Sequence, residues 1–176
     1  MAVNEGKRSA GGKLEIGWCE MVDVPSLGLF HVHAKMDTGA ATSSIHASRI
    51  RPMVREGILW VEFWFRLNAG EKPRRFEAPV IDRRVVRSSN GDKQERYVIA
   101  AQFCFGNLCW NGQLTLANRR SMAFPLLIGR RALRRGFLVN SAKRWVLGKP
   151  ADQGIENNEN CNVGPKRQPL LAPETG

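Results

Sequence analysis

Short strands punctuated by turn residues predict an all-β domain, a barrel or sandwich with one or two short helical turns. Three observations carry this. β-Branched and aromatic residues dominate the apolar runs, clusters of Gly, Pro, Asn and Ser separate them at short intervals, and Asn90-Gly91 is the favoured pair for a tight hairpin turn.

The elements follow in order. "LEIGWCEMVDV" reads as a strand, "PSLG" as a turn, and "LFHVHAKM" alternates up to "DTGA". "GILWVEFWFRL" is strongly β-prone, and the turn "NAGEKPR" separates it from "FEAPVIDRRVV". The "SSNGDKQ" hairpin turn leads into "RYVIAAQFCF", and "GN" turns the chain into "LCWNGQLTLA". "AFPLLIGRRAL" reads as a strand running into a short helix, and "GFLVNSAKRWVL" closes the series. Residues 1–12 are polar and Gly/Ser-containing, and residues 149–176 are rich in Pro, Asn and Gly without periodicity, so both are expected to be flexible. One domain over residues 13–148 remains, and no internal repeat is visible.

At 43% hydrophobic and 24% charged, the 176 residues sit in the ordinary globular range. Apolar runs such as "AFPLLIG" fall far short of the roughly 20 residues a membrane helix needs. The N-terminal "MAVNEGKRSAGGK" has charges with no apolar stretch behind them, so the expectation is a cytoplasmic protein without a secretory signal. A net charge of +11, with 19 Arg against 8 Lys, favours anionic partners. The arginines are spread in pairs, and no nucleic-acid motif accompanies them, so a solvated basic surface is the expectation. Cys19, Cys104, Cys109 and Cys161 lack paired spacing, which argues against a zinc ribbon. Cys104 and Cys109 flank "FGN" and are placed to face each other across a hairpin, and in a cytoplasmic protein reduced thiols are expected.

The chemistry-bearing stretch is "KMDTGAATSSIHA", residues 35–47. Gly39 permits a tight path and the close approach of another chain, and the Thr38 hydroxyl is suited to bond a neighbouring backbone group. Asp37 would then be held on a rigid turn, as a catalytic carboxylate must be. The same residues also make an ordinary Asx-type turn, and the tripeptide alone does not separate the two.

The second half of the pattern is "FPLLIGRRAL", residues 124–133. With the upstream D-T-G it resembles the aspartic peptidase half-domain, in which an apolar-apolar-glycine strand passes beside the D-T-G loop and a short helix packs behind. Leu127, Ile128 and Gly129 match that strand, and Asp37, Thr38, Gly39 and Ala40 match the loop. Order and spacing suit a single-lobed, retropepsin-like acid-protease barrel.

Successive longer blocks sharpen the likeness: "EIGWCEMVDVPSLGL", "HAKMDTGAATSSIHA", "VRSSNGDKQERYVI", "LTLANRRSMAFPLLIGRRAL" and "FLVNSAKR". Together they resemble the bacterial family labelled "ATP-dependent zinc protease", also described as RimK-associated or retropepsin-like, over residues 14–147. That resemblance implies an acid-protease fold and, for some members, a neighbouring RimK ligase that adds glutamates to a ribosomal protein. Departures from the pattern are specific. Ala41 and Thr42 stand where retropepsins carry acidic residues that pair with the arginine after the glycine, Arg131 follows Arg130, and Asn140 replaces a common aspartate.

The mechanism implied is aspartic endopeptidase chemistry on a peptide or protein substrate. It needs two carboxylates sharing a proton. None of Asp23, Asp82, Asp92 and Asp152 lies in a second D-T-G, so the dyad requires Asp37 from each of two chains in a homodimer. A flap is also needed, and the hairpin carrying Ser89, Asn90 and Gly91 is one candidate and "NAGEKPR" the other. The alternative is a non-catalytic binding module of the same fold, docking to a RimK-type ligase or a ribosomal protein.

Metal and nucleotide chemistry find no motif. His31 and His33 alternate in a strand without a third ligand, His46 follows the D-T-G loop and helps position it, and neither H-E-x-x-H nor G-x-x-x-x-G-K-[ST] occurs. No cofactor is expected, zinc and ATP included. "GWCE" and "TSSIHAS" place Ser or Cys near His without the pattern of a triad.

Overall fold

The computed structural model describes residues 12–68, 70–87, 93–118 and 123–148. "LEIGWCEMVDV" splits into β1 (Leu14–Gly17) and β2 (Cys19–Val24), because the two halves join different sheets. A 3-10 turn (Pro25–Leu27) ends in left-handed Gly28 and leads into β3 (Leu29–Asp37). Beyond the D-T-G loop come β4 (Ser43–His46) and β5 (Ser48–Arg55), followed by β6 (Ile58–Phe65), β7 (Arg74–Arg87), β8 (Lys93–Phe105) and β9 (Leu108–Ala117). The chain then forms β10 (Leu126–Gly129), the four-residue helix α1 (Arg130–Leu133) and β11 (Phe137–Asn140).

Nine strands form one sheet in the order β2-β3-β10-β4-β9-β8-β7-β6-β5, and the Asp23↔Cys104 pairing of β2 with β8 closes the first six into a barrel. That pairing joins the two ends of the six-strand run into a ring. The sequence pattern explains the packing. In β3 Val32, Ala34 and Met36 face inward, and in β6 Val61, Phe63 and Phe65 are buried while Trp60, Glu62 and Trp64 are half-buried, the period of two expected of a strand with one covered face. β10 is buried at every position, as a short continuous apolar run at the centre of a sheet should be. Phe103, Phe105, Ile45, Leu114, Leu126 and Ile128 are among the domain's largest fully buried side chains.

The topology at β10 creates the site. β10 lies between β3 and β4, two strands consecutive in the chain, parallel to β3 and antiparallel to β4. The loop joining β3 to β4 must therefore pass over the end of β10.

The parallel pair β1–β11 (Leu14↔Phe137 to Gly17↔Asn140) forms a small second sheet. Asn140 donates its amide to Glu15 Oε1 at 2.9 Å, and Lys143 Nζ reaches the same oxygen at 2.9 Å. An aspartate at 140 would set a second carboxylate against Glu15, so the amide suits this partner.

The Glu20 carboxylate, fully buried, fastens the segment after β11. It accepts the N–H groups of Gly17 at 2.6 Å, Val146 at 2.8 Å and Leu147 at 3.2 Å. Burial raises its pKa above the ordinary 4.5, and the three backbone N–H groups pull it down without cancelling that effect. The folded state therefore holds the proton more tightly than the unfolded chain. Glu20's favourable contribution is complete below pH 4.5 and is lost as pH rises through the raised value. Glu20→Gln, neutral throughout, is expected to gain stability relative to wild type as pH rises across that window. Denaturant midpoints from pH 4 to 8 test this, and parallel curves for the two proteins would refute it.

Two expectations need correction. Cys104 and Cys109 were expected as reduced thiols, but they form a disulfide. The turn at Gly106 (φ 54°) is so tight that the β8–β9 register sets them directly opposite one another, with Cα atoms 4.1 Å apart, while Cys19 is buried elsewhere, in β2. Strict alternation also fails at the start of β3. His31 sits at a register shift in the β2–β3 ladder with φ 55°, its N–H donated to Asp23 Oδ1 at 2.7 Å. No helix among the described residues is long and apolar enough to cross a membrane.

Candidate active site

Asp37 is the last residue of β3, and its register partner is Gly129, the last residue of β10. The two halves of the sequence pattern thus end side by side. Asp37 Oδ1 accepts the N–H groups of Gly39 at 3.1 Å and Ala40 at 3.0 Å, which fixes the carboxylate plane. This is the geometry of an Asx turn, so the local and the catalytic readings of D-T-G share one arrangement. Oδ2 has no hydrogen bond among the described residues, and Asp37 is half-buried.

The rest of the loop is clamped from behind. Arg130 N–H donates to Ala40 O at 2.9 Å and Arg131 N–H to Ala41 O at 3.2 Å, so the first amides of α1 are capped by the loop's own carbonyls. Gly129 N–H donates to Ser43 Oγ at 3.2 Å. The Arg130 guanidinium, lacking an acidic partner at 41 or 42, donates instead to Gly39 O at 2.9 Å. That bond ties the exposed tip of the loop to α1.

At Gly129 the backbones cross closely. A Cβ there would lie 2.4 Å from Thr42 C and 2.6 Å from Thr42 O, distances no side chain tolerates. Leu127 and Ile128, both buried, place the glycine by anchoring β10 on its two faces. Gly39 is different. It is exposed, and a Cβ on it would touch only Asp37 Oδ1 at 3.4 Å, an ordinary contact. The fold of this chain does not require glycine at 39.

Thr38 is exposed, and its hydroxyl has no partner among the described residues, so the loop is locked by the Asp37 carboxylate and α1, not by Thr38. Sequence reasoning missed Ser43, whose hydroxyl receives Gly129; nothing in "TSSIHA" distinguishes it from Ser44. The β7–β8 ladder runs out to Arg87↔Lys93, and the flap candidates Ser89, Asn90 and Gly91 lie outside the described residues. The "NAGEKPR" candidate connects β6 to β7, with Asn68 Nδ2 donating to Glu71 Oε1 at 2.5 Å and residue 69 outside the described residues.

Among the described residues no group of three or more His, Cys, Asp or Glu is placed to hold a metal ion. His33 packs against Trp145 with ring centroids 5.1 Å apart, burial lowering its pKa, while His31 is turned aside at its register shift.

A closed β-barrel with D-T-G ending one strand, apolar-apolar-glycine ending its parallel neighbour and a short helix capping the loop defines the single-lobed acid-protease class. Comparison with known proteins gives the particular family. The family described as "Retropepsin-like aspartic endopeptidase RimB" matches residues 15–150, and the chain belongs to it.

Similar proteins include a "Probable alpha-L-glutamate ligase" of Shewanella pealeana, 42% identical over 141 residues, covering 79% of this chain and 30% of that protein. A protein of the same description from Parasynechococcus marenigrum is 37% identical over 146 residues, covering 82% of this chain and 31% of its own. The chain thus spans about 30% of the length of these relatives. Among solved structures, a Legionella pneumophila protein of unknown function matches with a TM-score of 0.61 at 24% identity, covering 74% of this chain and 95% of that one. At that identity the likeness concerns the fold.

Proposed function

We propose that the chain is an aspartic-type endopeptidase whose catalytic pair is Asp37 from each of two copies related by a two-fold axis. The observation that carries this reading is the Asp37 carboxylate itself. Two amides hold Oδ1 in place while Oδ2 is left unbonded, and the chain has no second D-T-G. Gly39 supports the same reading. It is a glycine the fold does not need, on the exposed side of the loop, where a substrate backbone or the second chain would approach.

In the working dimer the two Asp37 side chains share one proton, a property carried over from aspartic proteases as a class, because like charges about 3 Å apart do not both ionise cheaply. The ionised carboxylate takes a proton from water as its oxygen attacks the peptide carbonyl carbon. The protonated one hydrogen-bonds the carbonyl oxygen and then protonates the leaving nitrogen as the C–N bond breaks. Thr38, Gly39 and Ala40 make up the loop beside Asp37, Leu127, Ile128 and Gly129 support it, and the flap that excludes water comes from one of two candidate segments, the one carrying Ser89, Asn90 and Gly91 or "NAGEKPR".

A second reading has its own support. The matching relatives carry a ligase name, and this domain corresponds to about 30% of their length, so it also suits a non-catalytic module that docks to a RimK-type glutamate ligase or positions a ribosomal protein for modification. Dilution separates the two. Specific activity on a mixed peptide substrate is expected to fall as the protein is diluted through its dimer dissociation constant. Chelator and added nucleotide are expected to leave it unchanged, since neither a metal-ligand cluster nor a phosphate-binding glycine loop is present among the described residues. A monomer with constant specific activity would refute the two-chain pair, and loss of activity on chelation would refute the aspartate mechanism.

A further inference from the structure

Behind the Asp37 loop, between α1 and β9, lies an open cavity of about 410 Å³. Its size falls in the range of about 300–1,000 Å³ typical of small-molecule sites. The floor is aromatic: Phe103 and Trp110 stack with centroids 5.7 Å apart, and Trp110 is held further by Phe105 and Phe137 at 5.2 Å each. Gly112 keeps this floor open. A Cβ at Gly112 would lie 3.1 Å from the Phe103 ring and 3.8 Å from Trp110 Nε1. Glycine inside a strand sacrifices packing and often marks the close approach of a ligand.

The rim is cationic. Arg131 in α1 and Arg135 in the turn after it are exposed, and neither guanidinium has a hydrogen bond or ion pair among the described residues. Arg55, Arg75 and Arg84 are by contrast each paired with a carboxylate. The Trp110 indole N–H adds a further donor, buried and without an acceptor among the described residues. Thr42 and Ser43 form part of the cavity wall. Asp37 does not line the cavity, so this is a separate place on the same loop's rear surface.

We infer that the cavity binds a small organic anion, a carboxylate or phosphate whose oxygens meet Arg131 and Arg135 while its apolar body lies over Gly112 on the Phe103 and Trp110 rings. Guanidinium groups recognise both oxyanions through the same planar fork of donors. Because Thr42 and Ser43 are the backbone on which Gly129 rests, an occupant stiffens the support of the Asp37 loop. The inference stands whether or not Asp37 hydrolyses peptides.

The test follows the indole N–H resonance of Trp110 in the full chain, assigned as the signal missing from Trp110→Phe. Phenyl phosphate and benzoate are titrated at constant ionic strength, with sodium chloride as the control. A saturable shift with at least one probe is expected, weakened about tenfold or more in the Arg131→Gln, Arg135→Gln double variant. Tighter binding of phenyl phosphate assigns a phosphate, and tighter binding of benzoate a carboxylate. Gly112→Ala is expected to occlude the site. If that variant fails to fold, the double variant, which alters only exposed side chains, decides alone. No saturable shift with either probe, or unchanged affinity in the double variant, overturns the inference.

Discussion

Asp37→Asn is expected to fold as the wild type does and to lose peptidase activity by about 10²–10⁴-fold or more, the share general acid–base catalysis commonly supplies. The side-chain oxygen of asparagine accepts the same two N–H groups, from Gly39 and Ala40, that Asp37 Oδ1 accepts at 3.1 Å and 3.0 Å. Those two donors fix the amide's orientation, so its NH₂ group falls where Oδ2 was. An amide nitrogen neither takes a proton from water nor passes one to the leaving nitrogen. Loop geometry therefore survives while proton transfer fails. Thermal midpoints within error of each other, combined with collapsed kcat/KM, are the expected result. Equal turnover by variant and wild type would remove Asp37 from the mechanism and leave the binding-module reading standing. Asp37→Ala is the less informative change, because it also frees the Gly39 and Ala40 amides and loosens the loop.

The barrel and its site were legible in the sequence to different depths. Runs with one covered face, such as Val61, Phe63 and Phe65 between half-buried Trp60, Glu62 and Trp64, announce strands because period-two burial is local information. β4 and β5 carry little local signal. β4 is only four residues long, and β5, "SRIRPMVR", is an edge strand whose residues are mostly exposed and which contains Pro52. Its order comes from tertiary contacts, with Arg49 over Trp64 at 5.8 Å and Arg55 over Trp60 at 5.3 Å, and neither pairing is visible in a window of sequence. The D-T-G and L-I-G stretches were legible as partners through their resemblance to the aspartic peptidase half-domain. What the sequence could not show was which hydrogen-bonding groups hold the loop. Ser43 and the Arg130 guanidinium become visible only when residues about 90 positions apart are brought together, at |i−j| of 86 and 91. The disulfide depends on the register that sets Cys104 opposite Cys109, which cysteine spacing alone does not reveal.

Gly129→Ala is expected to be the most damaging single methyl group in the domain. Its Cβ would sit 2.4 Å from Thr42 C, 2.6 Å from Thr42 O and 2.9 Å from Ser43 N. All three are backbone atoms, so no rotamer change relieves the clash, and β10 must separate from the β3–β4 connection. Overpacking of this kind costs about 1–3 kcal/mol, sometimes more, and rigid backbone neighbours place the expectation at the upper end. For a domain of this size the midpoint should drop by about 10 °C. Separation also pulls apart three bonds at the crossing: Gly129 N–H to Ser43 Oγ, Arg130 N–H to Ala40 O and Arg131 N–H to Ala41 O. The loop that orients Asp37 then loses its support, so activity should fall even below the temperature at which the variant unfolds. Gly39→Ala is the matched control. Its Cβ meets nothing closer than Asp37 Oδ1 at 3.4 Å, so stability should change little, while any activity loss would report the approach of substrate or partner chain. Wild-type stability in Gly129→Ala would mean that the strands do not cross as closely as these distances require, and the account of how the site is held would fail with it.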